Sequence, residues 1–127
     1  MKRLTQEWIT LAEGDFHAAT REVAVTDHPF PSGVCFHSQQ CIEKLLKAVL
    51  CERGVRFDKT HDLFALAALV SSSGSSPWEI PEAALRLLQP GAVEYRYPGD
   101  QPDMGDARAV HEACVSVRTS LLALLGE

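Results

Sequence analysis

The sequence predicts an all-α fold, an antiparallel up-and-down bundle of about five helices. Three observations predict it. Apolar residues recur three and four positions apart through several long segments. No stretch of useful length alternates apolar and polar residues as a strand would. Segments bearing proline and glycine separate the periodic ones and read as turns. The chain has 127 residues, which fits one domain over 1–127 and suffices for a core without disulfide or metal staples.

The first helix is expected from about Leu4 to Val25. Leu4, Trp8, Leu11, Ala18 and Ala19 form its apolar stripe, with Val23 one step further on. Asp15 sits on that stripe. It is either a boundary residue reaching water or a neighbouring amide, or a buried polar contact to the next helix. Residues 26–33 carry two prolines and a glycine and read as a loop. The second helix is expected from about Gly33 to Arg53, with Ser32 as N-cap and Gly54 as the residue that ends it. Val34, Cys35, Cys41, Ile42, Leu45, Leu46, Ala48, Val49 and Leu50 cover more than half its circumference. A helix apolar over so wide an arc belongs at the centre of a bundle.

Thr60 is expected to cap a third helix, with Asp62 near its positive end and Leu63, Leu66, Ala67 and Val70 as its stripe. The serine-rich run 71–77 ends it. A short fourth helix is expected from Pro81, in the first turn, to Leu88 or Gln89. Residues 93–100 read as an extended connector. The last helix is expected from Asp103 to Leu125, where Ala107, Val110, Cys114, Val117, Leu121 and Leu124 repeat without a break before Gly126.

Composition narrows the function. Hydrophobic residues make up 46% and charged residues 23%, a globular balance. A formal net charge of −5 disfavours broad coating of nucleic acid, so any such contact needs a local basic patch. The four cysteines, Cys35, Cys41, Cys51 and Cys114, form neither a C-x-x-C pair nor a zinc-ligand spacing. They read as small buried hydrophobes in a reducing compartment. With no signal-peptide pattern and no apolar run of membrane-spanning length, a cytoplasmic protein without membrane contact is expected. No Walker-type loop, G-x-G-x-x-G or G-x-S-x-G is present. His17, His28 and His111 are scattered, so no metal site and no cofactor are expected.

His37, Gln40, Lys44 and Lys47 lie three, four and three residues apart and share one face of the second helix, flanked by Gln39 and Glu43. The seam is a solvated face with an ordinary Glu43–Lys47 pair, a cationic cleft for a phosphate or a partner's carboxylates, or a polar strip at a dimer interface. His61, at the start of the third helix, is either hydrogen-bonded to the cap or part of one phosphate site with Lys44 and Lys47. Arg96 offers a planar fork for phosphate and Tyr97 a stacking face for a base. Tyr97 and Pro98 equally suit packing of the connector on the bundle.

Several of these residues fall in a recognisable order. Cys35-Phe36-His37-Ser38-Gln39-Gln40-Cys41-Ile42-Glu43-Lys44-Leu45-Leu46-Lys47-Ala48 resembles the central-helix signature of HEPN domains, F-H-x-Q-Q-A-x-E-K-x-L-K-A. Lys59-Thr60-His61-Asp62-Leu63 resembles the family's T-H-D-L element, and Arg96-Tyr97-Pro98 its R-Y-P element. Trp8, Ala12 and Asp15 resemble its first-helix pattern. The resemblance spans nearly the whole chain. It implies a bundle of about five helices that frequently dimerises. It implies roles ranging from nucleotide binding to toxin–antitoxin systems, in one branch beside a minimal nucleotidyltransferase partner.

Other HEPN branches are metal-independent ribonucleases, with an arginine and a histidine four to six residues apart at a composite dimer site. Two pairs bear on that alternative, in which RNA is the ligand. Arg56 and His61 meet the spacing but span a loop into a helix cap. Arg108 and His111 lie in the last helix, where the motif belongs, but only three residues apart. The expectation is a non-catalytic binding subunit that dimerises and recognises a nucleotide or a nucleotidyltransferase. Its contact residues would be His37, Gln40, Lys44, Lys47, His61, Arg96 and Tyr97.

Overall fold

A computed structural model describes residues 1–127, apart from the side chain of Arg96. Five α-helices form, α1 Arg3–Val23, α2 Pro31–Glu52, α3 Leu63–Ser73, α4 Glu82–Leu88 and α5 Met104–Leu124, with two 3₁₀ turns at Gln89–Ala92 and Glu94–Arg96. No strand occurs among the described residues. No helix is long and apolar enough to cross a membrane.

α2 is central because its sequence is apolar over more than half its circumference. Fourteen of its 22 residues are buried, and it meets α1, α3, α4, α5 and the first 3₁₀ turn. Its end is the expected one: Gly54 takes φ +68°, and Val55 N donates to Leu50 O at 2.9 Å. Its start differs. Pro31 occupies the first turn and Phe30 the cap position, so Ser32 lies inside the helix and caps nothing. A proline needs no partner for a missing N–H, and this removes the demand that Ser32 was expected to meet.

α1 packs antiparallel on α2. At one end Lys2 N and Thr5 Oγ1 donate to Glu52 Oε1, both at 3.0 Å. The buried line of α1 matches the expected one only in part: Ala19 is buried, and Trp8, Ala18 and Val23 are half-buried. Thr5, Ala12 and Ala19 face the bundle, whereas Leu4 and Leu11 stay more than half exposed. Small residues at the most buried positions let the backbone of α1 approach the bulky α2, while Ile9, Phe16 and Val23 also pack against the core.

The chain then breaks strict alternation once. Residues 54–62 run back along α2, bringing His61 to the level of Glu43, while Arg53 reaches Val70 O and Ser73 Oγ at the other end. α3 therefore runs in the same sense as α2. Its cap is Asp62, whose Oδ1 accepts from Phe64 N at 3.0 Å and Ala65 N at 3.2 Å. Thr60, the expected cap, instead accepts from Asp62 N and shapes the turn ahead of it.

Pro81 sits just before α4 as its cap residue rather than within its first turn. The helix does not stop at Gln89-Pro90-Gly91 but tightens into 3₁₀ geometry, and Glu94–Arg96 adds another short turn to a connector expected to be extended. Gly91 explains the tight path. A Cβ there would collide with the Cys35 carbonyl oxygen, so only glycine lets this segment lie against α2. α5 begins with a reciprocal capping box between Asp103 and Asp106 and ends at Gly126, φ +78°. All four cysteines are free. Cys35, Cys41 and Cys114 are buried, and Cys51 is partly exposed. Burial pushes the Cys35 thiol up to about 11, so it is a neutral packing group.

Candidate functional site

The polar seam of α2 does not face solvent as one strip. It straddles the grooves that α2 makes with α1 and with the start of α3, and two acidic groups divide it. Asp15 reaches across from α1, its side chain 11% exposed, and pairs with Lys44 Nζ at 2.6 Å and His37 Nδ1 at 2.8 Å. Of the two readings of Asp15, the buried contact to the next helix is the one that forms. Glu43, 4% exposed, pairs with Lys47 Nζ at 3.0 Å and His61 Nδ1 at 2.8 Å.

A second layer of amides fixes the Glu43 cluster. Gln39 Nε2 donates to Glu43 Oε1 and to His61 O, and Gln40 Nε2 donates to Gln39 Oε1. Gln89, at the start of the first 3₁₀ turn, donates to His61 O and accepts from Leu63 N. Lys47 is covered by aromatic rings, with Nζ 5.6 Å from the Trp8 centroid and 6.0 Å from that of Phe57. The seam residues are thus brought together, but as two clusters in which each lysine already has a carboxylate. Lys47 is enclosed. His61, 65% exposed at its side chain, is the most open member.

His37 borders a cleft of about 480 Å³ between the start of α2 and the segment 91–101. Phe30, Phe36 and Tyr95 supply aromatic walls, and Gln101 stands at the rim. Gln101 Nε2 donates to Tyr95 O at 2.6 Å and Tyr97 O at 3.0 Å, so it ties down the turn carrying Tyr95. Burial holds the Tyr95 phenol above its ordinary value, and it stays a neutral hydroxyl. A carboxylate only accepts, so the contact with Asp15 places a proton on His37 Nδ1. Nε2 is then the ring nitrogen left for a ligand, and it has no partner among the described residues.

Tyr97 is 66% exposed and lies outside this cleft, beside Val93, Glu94 and Asp100. Arg96, expected next to it, has its side chain outside the described residues. Sequence reasoning missed Phe30, Phe36, Tyr95 and Gln101. Phe30 and Phe36 carried a signal, as two large rings on the polar side of an otherwise amphipathic helix start. Tyr95 and Gln101 carried none, because only the folding back of the connector brings them to α2.

In both arginine–histidine pairs the histidine is engaged by another residue. His61 is held by Glu43, and Arg56 is exposed in another groove, near Phe57, Asp58 and Leu69. His111 Nε2 lies 3.0 Å from Thr20 Oγ1, and its ring stacks on Phe16 at 6.0 Å between centroids. Burial pushes its pKa down, only partly opposed by Glu112. Arg108 is exposed. The Arg118 guanidinium lies 4.1 Å from the Phe16 centroid and is committed to Glu13 through bonds of 2.9 and 2.7 Å. No group of three or more metal-ligating side chains occurs among the described residues.

Comparison with known proteins agrees with the fold. A family model described as HEPN domain matches residues 5–124. The crystal structure of TT1696 from Thermus thermophilus is similar in fold, with a TM-score of 0.75 over 98% of this chain and 99% of that chain, at 20% identity. No curated protein matches the chain.

Proposed function

Because the chain belongs to the HEPN domain family, we propose that it is a non-catalytic binding subunit that dimerises and takes up a nucleotide, free or presented by a minimal nucleotidyltransferase partner, as in toxin–antitoxin pairs. One observation carries this reading. Asp15 and Lys44 hold the imidazole of His37 at the lip of a concave, aromatic-walled cleft, with one ring nitrogen unused. Concave, partly apolar clefts with a few fixed polar groups are the usual form of small-molecule sites. In this reading His37 contacts the ligand, Lys44 acts through Asp15, Gln40 and His61 belong to the neighbouring Glu43 cluster outside the cleft, Tyr97 stands outside as well, and Lys47 acts from inside by holding Glu43.

Charge pairing sets the expected character of binding. Asp15 offsets Lys44 and Glu43 offsets Lys47, so the seam has no surplus lysine for a phosphate. Recognition then rests more on the uncharged part of the nucleotide. Calorimetric titration with ATP, GTP, CTP and UTP is expected to give a saturable heat with at least one of them. Sedimentation at micromolar concentration is expected to give a dimer. A monomer that takes up none of the four at millimolar concentration would sink the reading.

No ribonuclease activity is expected. Metal-free cleavage needs a base for the 2′-hydroxyl, an acid for the leaving group and a cation at the phosphate, all in one cleft. His111 and His61 are each engaged elsewhere, by Thr20 and Glu43. Fluorescent RNA incubated with pure protein and chelator should stay intact. Cleavage lost in His111→Ala or His61→Ala would transfer the function to the ribonuclease alternative and locate its site.

A further inference from the structure

We infer that the cleft between the start of α2 and residues 91–101 is a nucleobase pocket, which takes a planar heteroaromatic ring whose edge donates an N–H to His37 Nε2. The inference rests on the nucleotide-binding reading above and assigns the base, rather than the phosphates, as the recognised part.

Three features of the cleft point to such a ring. Its walls are flat. Phe30 and Phe36 are 59% and 37% exposed, and Tyr95 faces the same space. Flat apolar walls suit stacking, which tolerates any base because every base has a π-face. The floor is kept low by glycine. A Cβ at Gly33 would lie 2.5 Å from Phe30 Cδ2 and push the ring away, and one at Gly91 would strike Cys35. The volume, about 480 Å³, falls within the usual range for small-molecule sites.

The polar groups fix which edge is read. With Nδ1–H given to Asp15, His37 in its neutral form presents a lone pair at Nε2. It therefore selects a ring edge bearing N–H, as an exocyclic amine does. The Asp15–Lys44 pair behind it keeps the imidazole from turning, because rotation would break the 2.8 Å contact to a carboxylate that is nearly buried. Asp15, Lys44 and His37 are positioning and binding groups here, and no bond is made or broken.

The probes are adenosine, which has no phosphate, and purine riboside, which is adenosine without its amino group. Adenosine should bind wild-type protein, and Phe36→Ala and Tyr95→Ala should each weaken it roughly tenfold or more. The remote exposed variant Leu87→Ala should leave it unchanged. Purine riboside should bind several-fold more weakly than adenosine, and His37→Phe should erase that difference. Nuclear Overhauser contacts from adenosine H2 or H8 to the Phe30, Phe36 or Tyr95 rings of wild-type protein give a test that does not depend on variants folding. ATP binding without adenosine binding, or equal adenosine binding by wild type and both aromatic variants, would overturn the base pocket while leaving the nucleotide-binding reading intact. No binding of either ligand would remove both.

Discussion

Glu43→Ala should destabilise the fold by about 3–5 kcal/mol, the usual cost of breaking a buried ion pair from one side. Glu43 is the hub of the larger polar cluster. Its two oxygens accept from Lys47, Gln39 and His61, and it is almost wholly withdrawn from water. Removing it strands the Lys47 ammonium under Trp8 and Phe57 and frees the turn that starts α3. The loss should appear as a lower urea midpoint. Adding Lys47→Met should recover much of it, because the stranded charge is then gone and the methionine fills the same space. A Glu43→Ala variant as stable as wild type would mean that Lys47 escapes to solvent and that the cluster is not closed. If stability is lost but Lys47→Met restores none of it, the cost lies in the docking of His61 and α3.

Leu46→Ala should cost about 2–5 kcal/mol. Leu46 is fully buried on the central helix, at the heart of a core shared with α1, α3 and α5. The spread reflects how far neighbours close the space left behind. α2 is gripped on several sides, which limits collapse and favours the upper part of the range. Thermal and urea unfolding should agree on the loss while the helical circular dichroism of the folded state stays unchanged. A loss near zero would place Leu46 outside the core.

The sequence alone determined the fold class and the identity of the central helix. An unbroken apolar arc around α2 and an unbroken three–four repeat in α5 admit no period-two reading, and the ordered motifs from Trp8 to Pro98 named the family. Helix ends set by glycine were also legible, since Gly54 and Gly126 adopt backbone angles that other residues resist. Helix starts were less so. Serine, threonine, aspartate and proline compete for adjacent positions, and only the final path of the chain chose Pro31 over Ser32 and Asp62 over Thr60.

Periodicity places side chains on a face but does not say what lies opposite. It put His37, Gln40, Lys44 and Lys47 together, and they are together. It could not say that Asp15, 22 residues before His37, and His61, 18 residues after Glu43, complete two separate ion clusters. That depends on α1 crossing α2 closely through Ala12 and Ala19, and on residues 54–62 doubling back. The apolar face of α1 was misplaced in part, at Leu4 and Leu11, which stay exposed while Thr5 and Ala12 are buried: contact with a bulky helix favours small residues, and a hydrophobicity pattern does not record size. The cleft is the most tertiary feature of all. Its walls come from the start of α2 and from a connector some 60 residues later, joined because Gly91 lets two backbones meet. Charge bookkeeping changed most in passing from sequence to structure. A row of lysines is a cationic strip only until folding sets a carboxylate against each one.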